Sequence, residues 1–189
     1  MHGQPAPPPL DLVQEFVNTR AITRSNPHER EELSSPEALL RWWQARGELA
    51  GAPEPSRAEL AMALEVREGL RAVLATHNAA EQPGDERALE RLARIADELP
   101  LRVDYPAGPV AVVEPVRSGG FTQVLAELLA RTVRASVDGS WARLKACRDP
   151  HCREIFYDTS KNRSGAWCSM RVCGSRAKQR RFAARNRTG

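Results

Sequence analysis

Residues 147–173 read CRDPHCREIFYDTSKNRSGAWCSMRVC and contain every cysteine of the 189-residue chain. The cysteines form two C-x4-C pairs, Cys147 with Cys152 and Cys168 with Cys173, and 15 residues separate the pairs. A structural zinc ion takes four thiolates in a tetrahedron, commonly delivered by two short chain reversals. Because four thiolates leave no position for water or substrate, the spacing predicts one structural Zn²⁺ and no catalytic metal.

Two other interpretations of the cysteines are weaker. Scattered buried cysteines would not be confined to one segment, and disulfides belong to oxidising compartments. The N-terminus lacks the basic and apolar regions of a secretory signal, and the longest apolar run, Leu60–Leu64, is too short to cross a bilayer. We therefore expect a cytoplasmic protein with reduced thiols and no membrane partner. His151 is an alternative ligand, but with four thiols present we expect it outside the coordination sphere.

The net charge of +4 is unevenly distributed along the chain. Residues 143–189 hold 13 Lys and Arg against three acids, whereas residues 1–142 hold 15 Arg against 21 acids. A basic tail on a more acidic body is typical of proteins that bind nucleic acid. The charge pattern therefore favours nucleic acid as the partner.

The final 19 residues carry the densest positive charge. Gly174-Ser175 is typical of a helix start with Ser175 as N-cap, and Phe182 lies between two cationic stripes as an anchor to the zinc core. A frayed, solvated terminus is one interpretation; a helix with one stripe on each phosphate strand is the one we favour. With the loop between the cysteine pairs, the predicted DNA contacts are Lys161, Arg163, Arg171, Arg176, Lys178, Arg180, Arg181, Arg185 and Arg187.

The residues before the cysteines predict a mainly helical domain. Residues 1–9 are proline-rich and are expected to be disordered, and 20–34 is predicted as a polar loop. Two short runs, Leu101–Tyr105 and Val110–Val113, predict a β-hairpin. Apolar periodicity, with Ser35 and Ser56 as N-caps, predicts helices at 10–19, 36–46, 57–78, 86–99 and 121–136. The expected fold class is mainly α with a short hairpin, followed by a small four-cysteine zinc-finger module that ends in a basic helix.

Polar side chains also cluster at the end of the first helix, at Glu15, Asn18, Thr19 and Arg20. They form either a ligand-binding cluster or a cap and loop network, and we favour the network. The sequence shows no Ser/His/Asp set, phosphate loop or dinucleotide fingerprint, so we expect no enzyme activity. The helical domain is then a sensor of a small-molecule effector, a homodimerisation unit, or both.

The cysteine-rich end resembles a known family. The segments 147–152, 156–162, 167–170 and 173–178 are together similar to the CGNR zinc finger, named after Cys-Gly-Asn-Arg at the last ligand. Ser175 stands where that motif has asparagine. This resemblance implies a zinc-binding module over residues 143–187.

The helical part resembles the ABATE domain that usually precedes this finger. Phe16-Val17-Asn18-Thr19 matches its opening motif, although Glu15 stands where aspartate is more usual. The two resemblances imply an ABATE-like domain at 10–138 and the finger after it. They imply a bacterial, stress-induced transcription regulator that binds DNA. An RNA-binding protein and an adaptor whose finger docks an acidic protein are the alternatives that stay open.

Overall fold

The computed structural model describes residues 3–23, 26–105, 111–116 and 119–186. Short 3₁₀ and π-helical turns lie at Trp141–Arg143 and Met170–Gly174. In chain order, the other elements are α1 (Leu10–Val17), β1 (Arg20–Thr23), β2 (Asn26–Glu31), α2 (Pro36–Gln44), α3 (Arg57–Thr76), α4 (Asp85–Ala96), β3 (Leu101–Asp104), β4 (Val112–Pro115), α5 (Gly120–Val137), β5 (Leu144–Ala146), β6 (Ile155–Tyr157) and α6 (Ser175–Arg185).

The predicted fold class is confirmed, since helices dominate and the strands pair only as antiparallel hairpins among the described residues. The hairpin β3–β4 pairs Leu101 with Pro115, so its second strand lies two residues later than predicted. The prediction of a loop over 20–34 was wrong, because β1 and β2 pair with Arg20 opposite Glu31. That segment lacks an alternating apolar face, which is the signal by which a strand is recognised from sequence.

Local capping sets the starts of α2 and α3, as predicted. The Ser35 hydroxyl accepts a hydrogen bond from the Ala38 N–H at 3.2 Å. Ser56 and Glu59 form a reciprocal capping box. α3 then packs against α1, α2, α4, α5 and β5, and is therefore the helix around which the body is assembled.

One hydrophobic core extends from the helical body into the cysteine-rich segment. Phe16 and Leu74 of the body are fully buried in the same cluster as Leu144, Ala146 and Ile155 of the β5–β6 hairpin. Successive side chains of a strand point to opposite faces. Accordingly Ile155 packs into the body, while its neighbour Phe156 packs with the cysteines in a second cluster. The hairpin is thus shared by both cores.

Polar side chains of the body hold the backbone of this hairpin. The Asn18 amide pairs with Ile155 on both sides: Nδ2 donates to the carbonyl oxygen and Oδ1 accepts from the N–H, each at 2.9 Å. Gln14 Nε2 donates to the same carbonyl at 3.0 Å. Asn78 Nδ2 donates to the Ala146 carbonyl at 2.7 Å. These side-chain amides make the hydrogen bonds that the backbone of a neighbouring strand would otherwise make.

Arg71 of α3 is a further link between the body and the hairpin. Its buried guanidinium donates to the carbonyl oxygens of Val17, Arg20 and Arg153. Burial lowers the pKa of Arg71 to about 10, so the group remains charged at neutral pH. Charge-assisted hydrogen bonds to the α1–β1 junction and to the loop before β6 make it a strong cross-link.

Residues 3–9, predicted to be disordered, instead lie against both parts of the protein. The Tyr157 N–H donates to the Gln4 carbonyl at 3.1 Å, and the Ala6 N–H donates to Gln14 Oε1 at 2.6 Å. The Ala6 side chain is buried in the main core. These contacts are made chiefly by backbone groups, which the proline-rich composition does not reveal.

We predict that Asn18→Ala destabilises the protein by about 1–3 kcal/mol, because the buried Ile155 N–H loses its partner while the carbonyl keeps Gln14. Urea unfolding of the zinc-loaded protein measures the change. Asn162→Ala, at an exposed asparagine, is the matched control and should alter the free energy of unfolding by less than about 0.5 kcal/mol. Equal stability of the two variants would contradict the assigned role of Asn18.

Candidate metal centre and basic surface

Four cysteine thiols meet between the β5–β6 hairpin and the π-helical turn before α6. The sulfur atoms of Cys147, Cys152, Cys168 and Cys173 all lie within 4.8 Å of one another, and all four residues are buried. The Cys152–Cys168 and Cys168–Cys173 sulfur distances are 3.6 and 3.7 Å. A Zn–S bond of about 2.3 Å places the sulfurs of a tetrahedral site about 3.8 Å apart. Four cysteines are therefore positioned to hold one metal ion, and the spacing fits zinc.

The turn after β5 positions the first pair. The Cys147 N–H donates to the Glu154 carbonyl at 2.9 Å, and the Cys152 N–H donates to the Asp149 carbonyl at 2.9 Å. Arg153 adopts a left-handed conformation with φ 52°, which is uncommon for a residue other than glycine. Two hydrogen bonds from its guanidinium to the Asp85 carboxylate, at 2.8 and 3.0 Å, hold it there.

The second pair lies on a helical turn that runs directly into α6. Ser169 caps this turn, since its hydroxyl accepts from the Val172 N–H at 3.3 Å and its carbonyl from the Cys173 N–H at 2.9 Å. The prediction of Ser175 as N-cap was therefore wrong. The chain is already helical from Met170, and the Ser175 hydroxyl instead donates to the Met170 carbonyl at 3.3 Å.

Gly174, between the last cysteine and α6, allows close packing. A Cβ at this position would lie 3.0 Å from Met170 Sδ and 3.3 Å from Trp167 Cδ1. The backbone is in the ordinary right-handed helical region, with φ −64°. Space, and not backbone conformation, is thus the reason that glycine suits this place.

The thiols cannot all ionise at this spacing without a cation. Hydrogen bonds from Cys152 and Cys168 lower the pKa of Cys147 to about 2. The hydrogen bonds with Cys147 raise the pKa of Cys152 and of Cys168 well above the usual range of a thiol. Burial raises the pKa of Cys173 to about 11. Four thiolates require a bound cation, and its binding displaces protons.

The thiol chemistry agrees with a closed structural site. All four cysteines are free, and none is paired in a disulfide. His151 is exposed and lies outside the four-thiol cluster. Zinc held by four thiolates would cross-link the two halves of the module and leave no position for a substrate.

A buried ion pair, which sequence reasoning missed, organises the loop between the cysteine pairs. Lys145 Nζ lies 2.7 Å from Asp158 Oδ2, and both residues are buried. Asp158 also accepts from the backbone N–H groups of Ser160 and Gly165. Burial alone would raise the pKa of Asp158, but these donors together hold it well below its ordinary value. The only sequence signal was that Lys145 is the first lysine of the chain.

The predicted DNA-contacting side chains are mostly on the surface. Arg176 is half-buried, and Arg187 lies outside the described residues. Among the described residues after 142, burial leaves the charge balance unchanged, because two acids, Asp149 and Asp158, and two cations, Lys145 and Arg153, are buried. The exposed members of the predicted set are Lys161, Arg163, Arg171, Lys178, Arg180, Arg181 and Arg185.

The base of α6 is attached differently from the prediction. Phe182 does not anchor the helix, since its side chain is 59% exposed. Ala177 is the buried residue of α6, and Arg180 Nη1 lies 3.4 Å from the buried Asp149 Oδ1 in the first cysteine turn. Arg180 therefore orients the helix on the metal centre in addition to contributing charge.

The polar cluster at the end of α1 forms an internal network. Each side chain is engaged by another part of the protein: Glu15 by Arg46, Asn18 by Ile155, Thr19 by Arg67 and Arg20 by Glu68. All four partners lie more than 30 residues away in sequence, so these side chains join α1 and β1 to other parts of the protein.

Comparison with known protein families yields two matches that together cover most of the chain. Residues 10–139 match the ABATE family, described as "Putative stress-induced transcription regulator", and residues 143–186 match the CGNR zinc finger. No curated protein matches the sequence. The order of the two matches is the one predicted from the resemblance.

We predict that the purified protein holds one zinc ion per chain and that Cys173→Ser abolishes binding, because a three-thiol site loses a ligand that contributes to folding. Limited proteolysis should then cut within 159–186, while the β5–β6 hairpin stays protected by its contacts with the body. Elemental analysis measures the metal, with Asn162→Ser as the control. Full zinc content and unchanged protection in Cys173→Ser would contradict the site.

Proposed function

The chain belongs to the ABATE family and carries a CGNR zinc finger, and from this premise we propose that it is a transcription regulator that binds duplex DNA through α6. The observation that carries the proposal is a cationic helix with almost no packing. All residues of α6 are described, and only Ala177 among them is buried. From Lys178 to Asn186 every residue is exposed.

Phosphate is the partner that this helix fits best. After Asp158 the sequence contains no acid, while α6 alone carries Arg176, Lys178, Arg180, Arg181 and Arg185. Neutralising DNA phosphates releases condensed counterions, which is a large source of binding free energy. An α-helix also fits the major groove, which is about 12 Å wide. Eleven residues extend about 16 Å, enough to cross it.

The metal centre gives this helix a fixed base. Zinc, when bound, cross-links Cys168 and Cys173 to the hairpin that carries Cys147 and Cys152. The protein adds the contact between Arg180 and Asp149, which joins the first full turns of α6 to the cysteine turn. Lys161 and Arg163, exposed in the loop between the pairs, supply further cations for the phosphate backbone.

The helical body takes the regulatory role in this proposal, as sensor of a small-molecule effector, as homodimerisation unit, or as both. Arg71 hydrogen-bonds both to Val17 at the end of α1 and to Arg153 in the first cysteine turn. A ligand that shifts α1 against α3 would therefore act directly on the finger. Among the described helices, none combines the length and the apolar character needed to span a bilayer. We assign no catalytic step to the chain.

RNA and an acidic protein are the competing partners. A-form RNA has a major groove too deep and narrow for side chains to read, so an exposed helix of this kind favours B-form DNA. An acidic protein would pair with the cations of α6, but it would not require a rigid helix that fits the width of a DNA groove. Both competitors are arms of the test below.

We predict that the zinc-loaded protein binds duplex DNA more tightly than duplex RNA or a polyglutamate peptide at about 0.15 M salt. A plot of the logarithm of the association constant against the logarithm of the salt concentration should have a negative slope of about 0.9 for each phosphate contacted. Lys178→Ala should weaken binding to all duplexes and reduce this slope by about 0.9, as measured by fluorescence anisotropy.

The matched control is Arg94→Ala, an exposed arginine on α4 of the body, which should leave the slope unchanged. Failure of the zinc-loaded protein to bind duplex DNA would overturn the proposed function. Tighter binding to RNA or to the acidic peptide would replace it with one of the two competitors.

A further inference from the structure

Phe182 is an exposed aromatic residue on a helix whose other residues are polar, cationic or alanine. Its position on the helical wheel relates it to three other residues. Taking 100° per residue, Ser175, Gln179, Phe182 and Asn186 all lie within about 40° of the direction opposite the buried Ala177. We name these four residues, of which Asn186 is the C-cap after the last helical residue, the outer face of α6. It points away from the metal centre and contains no charged side chain.

Cations flank the outer face on both sides. Lys178 and Arg185 lie about 80–100° from its centre on one side, and Arg176 lies about 80° from it on the other. A helix inserted in the major groove has a phosphate strand on each side and base edges in front of it. The charge pattern therefore places the outer face toward the bases and the flanking cations toward the phosphates.

We infer that the outer face of α6 reads bases in the major groove and selects A·T pairs, an inference that rests on the proposed DNA binding. Glutamine and asparagine make paired hydrogen bonds to adenine N6 and N7, which suits Gln179 and Asn186. An aromatic side chain contacts the methyl group of thymine, which gives the exposed Phe182 an apolar partner. Guanine is read chiefly by arginine or lysine and cytosine N4 by an acid, and the outer face has none of these.

The length of the outer face sets the size of the site. Gln179 and Asn186 are seven residues apart, which corresponds to about 10 Å along the helix axis. Base pairs repeat every 3.4 Å or so. The side chains of Gln179, Phe182 and Asn186 therefore span about three base-pair steps, and the recognised core is a short run of A·T pairs.

The experiment selects bound duplexes from a randomised library with the zinc-loaded full chain. It then measures the dissociation constants for the enriched duplex and for the same duplex with its core replaced by G·C pairs. We expect an A·T core in the enriched site. Gln179→Ala should reduce the ratio of the G·C-core constant to the A·T-core constant by about 5- to 150-fold, the range for one bidentate contact with a base. Phe182→Ala should reduce the same ratio through loss of the contact with the thymine methyl group.

Two controls separate base reading from loss of charge or fold. Both variants should keep the zinc content, the circular dichroism and the salt slope of the unmodified chain, since neither residue is charged or buried. Val103→Ala, on β3, truncates an apolar side chain of nearly equal exposure, 61% against 59%, and should leave the ratio unchanged.

The outcomes distinguish a failure of base reading from a failure of DNA binding. A G·C core, or an unchanged ratio in both outer-face variants, would overturn base reading by this face and leave DNA binding intact. A chain that binds no duplex at all would overturn both. Preference for a single-stranded or duplex RNA of any sequence would likewise remove the inference, because A-form geometry denies the helix its groove.

Discussion

The molecule depends on the β5–β6 hairpin being held on both of its faces. Ile155 is buried in the core of the helical body, and Phe156, the next residue, is buried with the four thiols. A three-residue strand in a two-stranded hairpin is marginally stable alone. Here one face is packed by helices and hydrogen-bonded by Asn18, and the other face is positioned for a metal cross-link. Neither the body nor the finger completes its packing without this strand.

This arrangement determines how the surface of the finger is presented. The first cysteine pair is fixed to the body through the hairpin and through the Arg153–Asp85 contact. The second pair is attached to the first by the metal centre, and α6 continues from it without a break. A short series of contacts therefore fixes the position of the cationic helix α6 relative to α3. In the proposed function, these contacts are also the route by which the body would influence DNA binding.

The features that sequence could reveal were those encoded locally. Two identical cysteine spacings define the ligand set, and Ser35 and the Ser56–Glu59 pair define helix starts, because each interaction lies within a few residues. The β1–β2 hairpin has no apolar alternation and was missed for that reason. The joint between the body and the finger was missed because Asn18 and Ile155 are 137 residues apart. Arg180, and not Phe182, anchors α6, because Asp149 is buried beside this helix. A helical wheel shows the residues of one helix only, so it could not reveal the position of Asp149.

The contacts that join the two parts have a consequence for how the finger can vary. Five side chains of the body form hydrogen bonds with main-chain atoms of the finger segment. They are Gln14, Asn18, Arg71, His77 and Asn78. Backbone groups are the same at every residue, so the hydrogen bonds of this seam place little demand on amino-acid identity. The demand falls on the side chains of Leu144, Ile155 and Arg153, which pack into the body or pair with Asp85. Substitutions elsewhere in the finger can thus accumulate while the docking surface of the body stays as it is. Such a seam lets one half of a protein diversify without the other half having to follow.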